Sequence, residues 1–253
     1  MENETQNSAT GDDAEETGPS DYVKWKGWVE GSSFSRLSRG DSDYFDAELR
    51  EARQGREVKD VLEIGFGNGT FLGHARARGW NAVGLELLPE LVEEARAAGF
   101  EAHPAEALQT LPEASFDAVV AFDVFEHIDP DESVDFLRSC RRLLRPGGAI
   151  VLRYPNADSP LGLPYQNGDP THVNAMGVFK LQYYAEAAQL SVERFRGSAR
   201  RGFSTSLVHG LHRVTAGALA RVVGEIARAV YFPGLPVVLW NGNVVAVLRR
   251  AGE

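Results

Sequence analysis

A single cysteine, Cys140, stands in 253 residues, so no internal disulfide framework exists. With only six histidines beside it, no Cys/His cluster for structural zinc can be drawn. No run of eighteen apolar residues occurs, and so no segment reads as a membrane span. Positive charge is also scarce: 26 Lys and Arg face 36 Asp and Glu, a net charge of −10. No zinc-finger, RRM or other nucleic-acid signature accompanies that balance, so nucleic acid is not an expected partner. The first residues have neither the basic start nor the apolar stretch of a signal peptide, which makes a cytoplasmic protein the expectation.

What is present is uneven. Residues 1–21 carry seven acids and no Lys or Arg, and almost no large apolar side chain. Such a segment cannot bury enough surface to offset its ordering entropy, so an acidic disordered tail over 1–21 is expected, with one folded domain over 22–253.

From Val58 onward, strand-like apolar runs alternate with helical patterns. Strands are expected at 59–64, 81–86, 100–103, 117–122, 148–154, 191–197 and 243–250. Helices are expected near 69–78, 89–98, 131–144 and 177–189, with Gly79, Gly99 and Pro146-Gly147-Gly148 as stops. The reading is an α/β fold, a doubly wound seven-stranded and mostly parallel sheet. Two segments fall outside the alternation. Residues 22–57 contain Tyr22, Trp25, Trp28, Phe34, Tyr44 and Phe45, and are expected to form a helical lid over the carboxyl edge of the sheet. Residues 198–242 form an insertion before the last strand, in which Leu207, Leu211, Val214, Ala218, Val222, Ile226 and Val230 recur at helical spacing. That stripe over 207–231 is expected to pack on the domain or on the partner copy of a homodimer, with a membrane surface as the sharper alternative.

The strongest constellation is Val61-Leu62-Glu63-Ile64-Gly65-Phe66-Gly67-Asn68-Gly69, a strand running through a glycine turn into a helix. A dinucleotide fingerprint would need glycine where Thr70 stands, which disfavours an NAD-dependent oxidoreductase. The Glu63-x-Gly-x-Gly-x-Gly pattern instead resembles the first motif of class I S-adenosylmethionine-dependent methyltransferases. Glu86 at the end of VGLE, Ser115 to Val120, Asp123 to His127 (DVFEH) and Leu143 to Gly148 resemble the later motifs in the same order. The resemblance implies a Rossmann-like class I fold and S-adenosylmethionine as cofactor. It also implies Glu63, Gly65, Gly67, Asn68, Gly69, Glu86, Leu87 and Asp123 as cofactor-binding residues, with Glu86 on the ribose hydroxyls. Where the family carries an acid that reads adenine, this chain has Pro104, so Ala105 through its backbone or Glu106 through its side chain are the substitutes.

His127 and His172 follow the fourth and fifth strands and are the catalytic candidates. Methylating an alcohol needs a base in reach, and His172, three residues after Asp169, is the favoured one. His127 either faces the transfer site or packs against the cofactor. The other four histidines read as surface or packing residues. The Pro155-Asn156 and Gly168-Asp169-x-Thr171-His172 pattern resembles bacterial methyltransferases acting on O-antigen and other glycan products. That implies a sugar-containing or other small-molecule hydroxyl acceptor. N-methylation of an amine, and a non-catalytic cofactor-binding partner subunit, are the alternatives. A catechol-type magnesium site would need three ligands after the fourth and fifth strands. Asp123 and Asn156 fit two of them, but Pro155 stands at the third, so no metal is expected.

Overall fold

The structure, a computed structural model, describes residues 34–54 and 56–250. The expected tail over 1–21, and Tyr22, Trp25 and Trp28, lie outside the described residues.

Apolar runs bounded by glycine and polar turns become seven strands: β1 Asp60–Ile64, β2 Asn81–Glu86, β3 Glu101–Pro104, β4 Phe116–Phe122, β5 Leu144–Pro155, β6 Leu190–Gly197 and β7 Asn243–Arg250. Their order in the sheet is β3-β2-β1-β4-β5-β7-β6. β1 to β5 run parallel, and β7 runs antiparallel to both its neighbours. Strand order reverses between β1 and β4, the place where open α/β sheets leave a crevice at their carboxyl ends. β5 starts four residues earlier than expected, because its glycine stretch stays beside β4 through a register shift between Phe116 and Ala118.

Side chains alternate across the sheet and so feed two cores. Leu62, Val119, Ile150 and Ala246 face one side, where α5 (Ser133–Leu143) and α7 (Val178–Ala187) bring Leu137, Cys140, Leu143 and Leu181. Val61, Val120, Val151 and Val247 face the other. There α3 (Thr70–Ala77) covers β1, and α4 (Pro89–Ala97) packs Leu91, Val92 and Ala95 beside Leu72. No crossover helix covers β4, β5 and β7 on that second face. The gap is filled by α1 (Arg39–Glu48) and α2 (Arg50–Arg53), whose Phe45, Leu49 and Ala52 share a core with Phe122, Val151 and Val247. The helical part of the expected lid therefore lies on a sheet face, while Phe34 beside Gly69 and Tyr44 on α1 reach the carboxyl edge. Ion pairs fasten it there: buried Glu48 takes Arg196 Nη1 at 2.6 Å, and Arg249 donates to the carbonyls of Glu51 and Ala52. α6 (Leu163–Asn167) is a short helix within the β5–α7 connection.

The insertion departs from expectation twice. Its stripe is broken at Thr215 (φ −106°, ψ −94°) into α8 (Leu207–Val214) and α9 (Ala216–Tyr231). The stripe also does not pack on the domain: Leu207, Leu211, Val222, Ile226 and Val230 are each at least half exposed. Periodicity fixes which residues share a face, but not what that face meets. No helix among the described residues is long and apolar enough to cross a membrane.

His74 on α3 is fully buried, its ring 5.4, 5.9 and 5.6 Å from those of Phe45, Phe71 and Trp80. Burial lowers its pKa to about 4, so the folded protein holds it neutral. The unfolded chain accepts that proton below about pH 6.5. Stability from this site is therefore intact above pH 6.5 and declines as pH falls towards 4, by about 3 kcal/mol in all. His74→Phe is expected to flatten that part of the slope in urea unfolding measured between pH 7 and 4. Identical slopes in the two proteins would refute the assignment.

Candidate functional site

The carboxyl ends of β1, β2, β4 and β5 meet around the glycine turn. Gly65 donates its N–H to Leu85 O at 2.8 Å and turns with φ +68°. A Cβ at Gly65 would come within 2.5 Å of Val124 Cγ2, and one at Gly69 (φ +70°) within 2.4 Å of the Phe34 ring. At these two positions the protein's own packing demands glycine, in addition to any demand from a ligand. Asn68 is exposed just before α3, its Oδ1 accepting from Thr70 Oγ1 at 2.8 Å.

Glu86, at the end of β2 and buried, grips the turn from the side. Its Oε2 accepts from Gly67 N at 2.9 Å and its Oε1 from Leu87 N at 2.7 Å. The carboxylate expected to take ribose hydroxyls thus also fixes the loop, with lone pairs left for a diol. Glu63 at the end of β1 is 4% exposed, and its Oε2 has no hydrogen-bond partner among the described residues. Burial, with the Glu86 charge added, pushes its carboxyl well above the usual carboxylate range. A buried orphaned acid beside a second one fits a ligand that brings an ammonium group and a sugar diol, as S-adenosylmethionine does. Leu87 is exposed at the rim, while Ala105 opens a 3-10 turn straight after β3 and Glu106 on it is exposed.

After β4 the backbone bends at Asp123 (φ +57°), whose carboxylate is held by the Arg153 guanidinium, with Nε at 2.8 Å. Arg153 also donates to Tyr44 Oη at 2.6 Å, which ties α1 to this edge. Asn156 is buried and donates its amide to Val238 O and Asn241 O, at 2.6 and 3.2 Å. Asp123 and Asn156 are thus each engaged elsewhere.

Three residues beyond Asp123 a second group gathers, and the 155–172 connection folds back to complete it. The rings of His127 and His172 stand edge to face, 4.6 Å apart. His172 Nε2 lies 3.6 Å from Asp169 Oδ2 and 3.9 Å from Glu126 Oε1. The Asp169 approach is too long for the hydrogen bond expected from sequence. Asp169 instead accepts from Thr171 N and Oγ1 at 2.9 and 2.6 Å, and Thr171 Oγ1 meets His127 Nδ1 at 2.9 Å. Glu126, 1% exposed, joins this group although the sequence did not single it out as a candidate. Its only signal was adjacency to His127, because its partner His172 comes from 46 positions away.

A family model described as a methyltransferase domain matches residues 37–195. The ubiquinone biosynthesis O-methyltransferase of Xanthomonas oryzae pv. oryzae is 38% identical over 101 residues, which is 36% of this chain and 41% of that protein. A probable S-adenosylmethionine-dependent methyltransferase of Mycolicibacterium smegmatis is 31% identical over 145 residues, 53% of each chain. The chain thus spans about two fifths of the first of these relatives and half of the second. A SAM-dependent methyltransferase from Archaeoglobus fulgidus superposes with a TM-score of 0.62 at 20% identity, covering 90% of this chain and 99% of that one. With the strand order, the glycine turn and its two acids in place, the chain belongs to the methyltransferase-domain family and has the fold of the class I S-adenosylmethionine-dependent enzymes.

Proposed function

We propose that this protein transfers a methyl group from S-adenosylmethionine to a hydroxyl of a small-molecule acceptor. The observation that carries the reading is the convergence of Glu126, His127, Asp169 and His172 at the edge that holds Glu63 and Glu86. Bound cofactor supplies a methyl already activated on a sulfonium. The chain must therefore hold the acceptor oxygen in line and relieve it of a proton. Glu63 offers a buried carboxylate to the cofactor's ammonium, Glu86 offers acceptor lone pairs to its ribose, and the turn at Gly65, Gly67 and Gly69 bounds the site. Asp123, Leu87, Asn68, Ala105 and Glu106 line the remaining rim. Acids and imidazoles grouped beyond β4 suit an alcohol, which needs help losing its proton, better than an amine, which is already nucleophilic once neutral. The O-methyltransferase name of the Xanthomonas relative supports a hydroxyl acceptor, and a sugar-containing one is the acceptor class we expect.

Two measurements check this reading. Glu86→Ala and Glu63→Gln are each expected to weaken S-adenosylmethionine binding in calorimetry by about ten- to hundredfold, the loss of a hydrogen bond to a charged group. His172→Ala is expected to lower kcat on a hydroxyl acceptor by about 10²- to 10⁴-fold with cofactor affinity intact. Retained turnover on an amine would favour N-methylation, and binding without turnover on any acceptor would favour the non-catalytic subunit.

We infer further that α8 and α9 rest on an anionic lipid surface. Their stripe is exposed, and Arg213, Arg221 and Arg228 accompany it against one acid, Glu225, in a chain whose net charge is −10. Co-sedimentation with phosphatidylglycerol vesicles but not phosphatidylcholine vesicles is expected, and Leu211→Ser/Ile226→Ser is expected to abolish it. Concentration-dependent dimerisation lost in the same variant would assign the face to a second copy and overturn the lipid assignment.

A further inference from the structure

We propose that Glu126, His127 and His172 bind a divalent transition-metal ion of the zinc class, with Asp169 beside it as an orienting acid. The ligand atoms of the first three lie within 4.8 Å of one another, and Glu126 is 1% exposed. Two ligands bonded to one tetrahedral zinc ion at the usual lengths stand about 3.4 Å apart. The His172 Nε2 separations of 3.6 and 3.9 Å are too long for hydrogen bonds and close to that spacing.

Charge points the same way. Two buried carboxylates face two imidazoles whose rings stand 4.6 Å apart, a donor set that suits a divalent cation. His172, whose side chain is 7% exposed, makes no side-chain hydrogen bond to the described residues, and its Nδ1 is buried without a partner. Around the group stands the outer support that metal-bound imidazoles need. Thr171 holds His127 Nδ1 through its hydroxyl and, at 3.2 Å, its carbonyl, and the same hydroxyl donates to Asp169. Two imidazoles and a carboxylate select borderline metals over magnesium, and three protein ligands leave a position open. The ligands differ from the Asp123–Pro155–Asn156 set on which the metal-free expectation rested.

The metal's role rests on the O-methylation reading, whereas its binding does not. With the acceptor hydroxyl in the open position, the ion lowers that group's pKa and its proton passes to Asp169 or solvent. The oxygen pair then forms the new C–O bond as the methyl's bond to sulfur breaks and its electrons stay on sulfur. His172 in this scheme is a ligand, and no longer the free base drawn from the sequence.

The test uses the full chain, stripped with EDTA and titrated with ZnCl2 by calorimetry, and with CoCl2 by visible absorption. One zinc per chain is expected, with affinity weakened at least 100-fold in Glu126→Gln and His172→Asn. Co2+ d–d bands of a low-coordinate site should be lost in the same variants. Thr171→Val leaves every ligand in place and is expected to weaken zinc only about tenfold, which guards against variants that fail to fold. Absence of bound zinc, or zinc binding that both ligand variants retain, would overturn the proposal. If methyl transfer to a hydroxyl persists in EDTA while His172→Ala abolishes it, the metal fails and the function stands. If zinc binds as described and no acceptor is methylated, the site stands and the function fails.

Discussion

Glu86 closes its carboxylate on the N–H of Gly67 on one side and of Leu87 on the other, and the carboxyl edge is organised around that clamp. It joins the end of β2 to the glycine turn after β1, two strands already paired in register from Asp60 with Asn81 to Ile64 with Leu85. Glu63 sits on the same edge with one oxygen unmet, so the clamp keeps two acids close in a dry place. Like charges held there are costly unless a ligand answers them. The fold thus spends stability on a site that a cation and a diol would relax, as expected where structure serves binding.

On the far side of the switch point the chain spends charge differently. Arg153 at the end of β5 is shared by Asp123 and Tyr44, which makes that acid part of the frame and fastens α1 to the same edge. The next acid along, Glu126, is buried with its Oε1 3.9 Å from His172 Nε2. Two carboxylates three residues apart therefore keep different company, one held by a guanidinium and one beside an imidazole.

Most of the fold was legible because it is written locally. Apolar runs such as DAVVAF, glycine stops at 79 and 99, and the turn at 65–69 place the strands and helices of the alternating region to within a residue or two, the early start of β5 excepted. The placement of the acids Glu63 and Glu86 was legible for the same reason, since each sits at the end of a strand on the edge where open α/β sheets bind ligands. What stayed hidden depends on distance in space. α1 and α2 cover a face that lacks crossover helices, a vacancy that only the finished topology creates. Glu126 gains meaning from His172, brought back by a connection whose path no periodicity encodes. The stripe on α8 and α9 has the right spacing for burial, yet no pattern within a helix states whether its neighbour is the same chain, another copy or a lipid.

The two histidines then acquire a division of labour from their surroundings. His127 is tied by Nδ1 to Thr171, and Thr171 is tied in turn to Asp169, so a single hydroxyl orients a ring and an acid together. His172 has no such tether on its side chain; its backbone N–H bonds Asp169 O and its carbonyl accepts from Gln166, which fix the main chain and leave the ring's place set by packing. A general base acting alone needs one acid behind it, as the sequence reading supposed. Here two acids approach one imidazole nitrogen from distances too great to bond it, and a second imidazole closes the group. That arrangement makes poor sense as a hydrogen-bonded relay and good sense as the set of ligands proposed above, placed apart from the Asp123–Pro155–Asn156 positions on which the metal-free expectation rested.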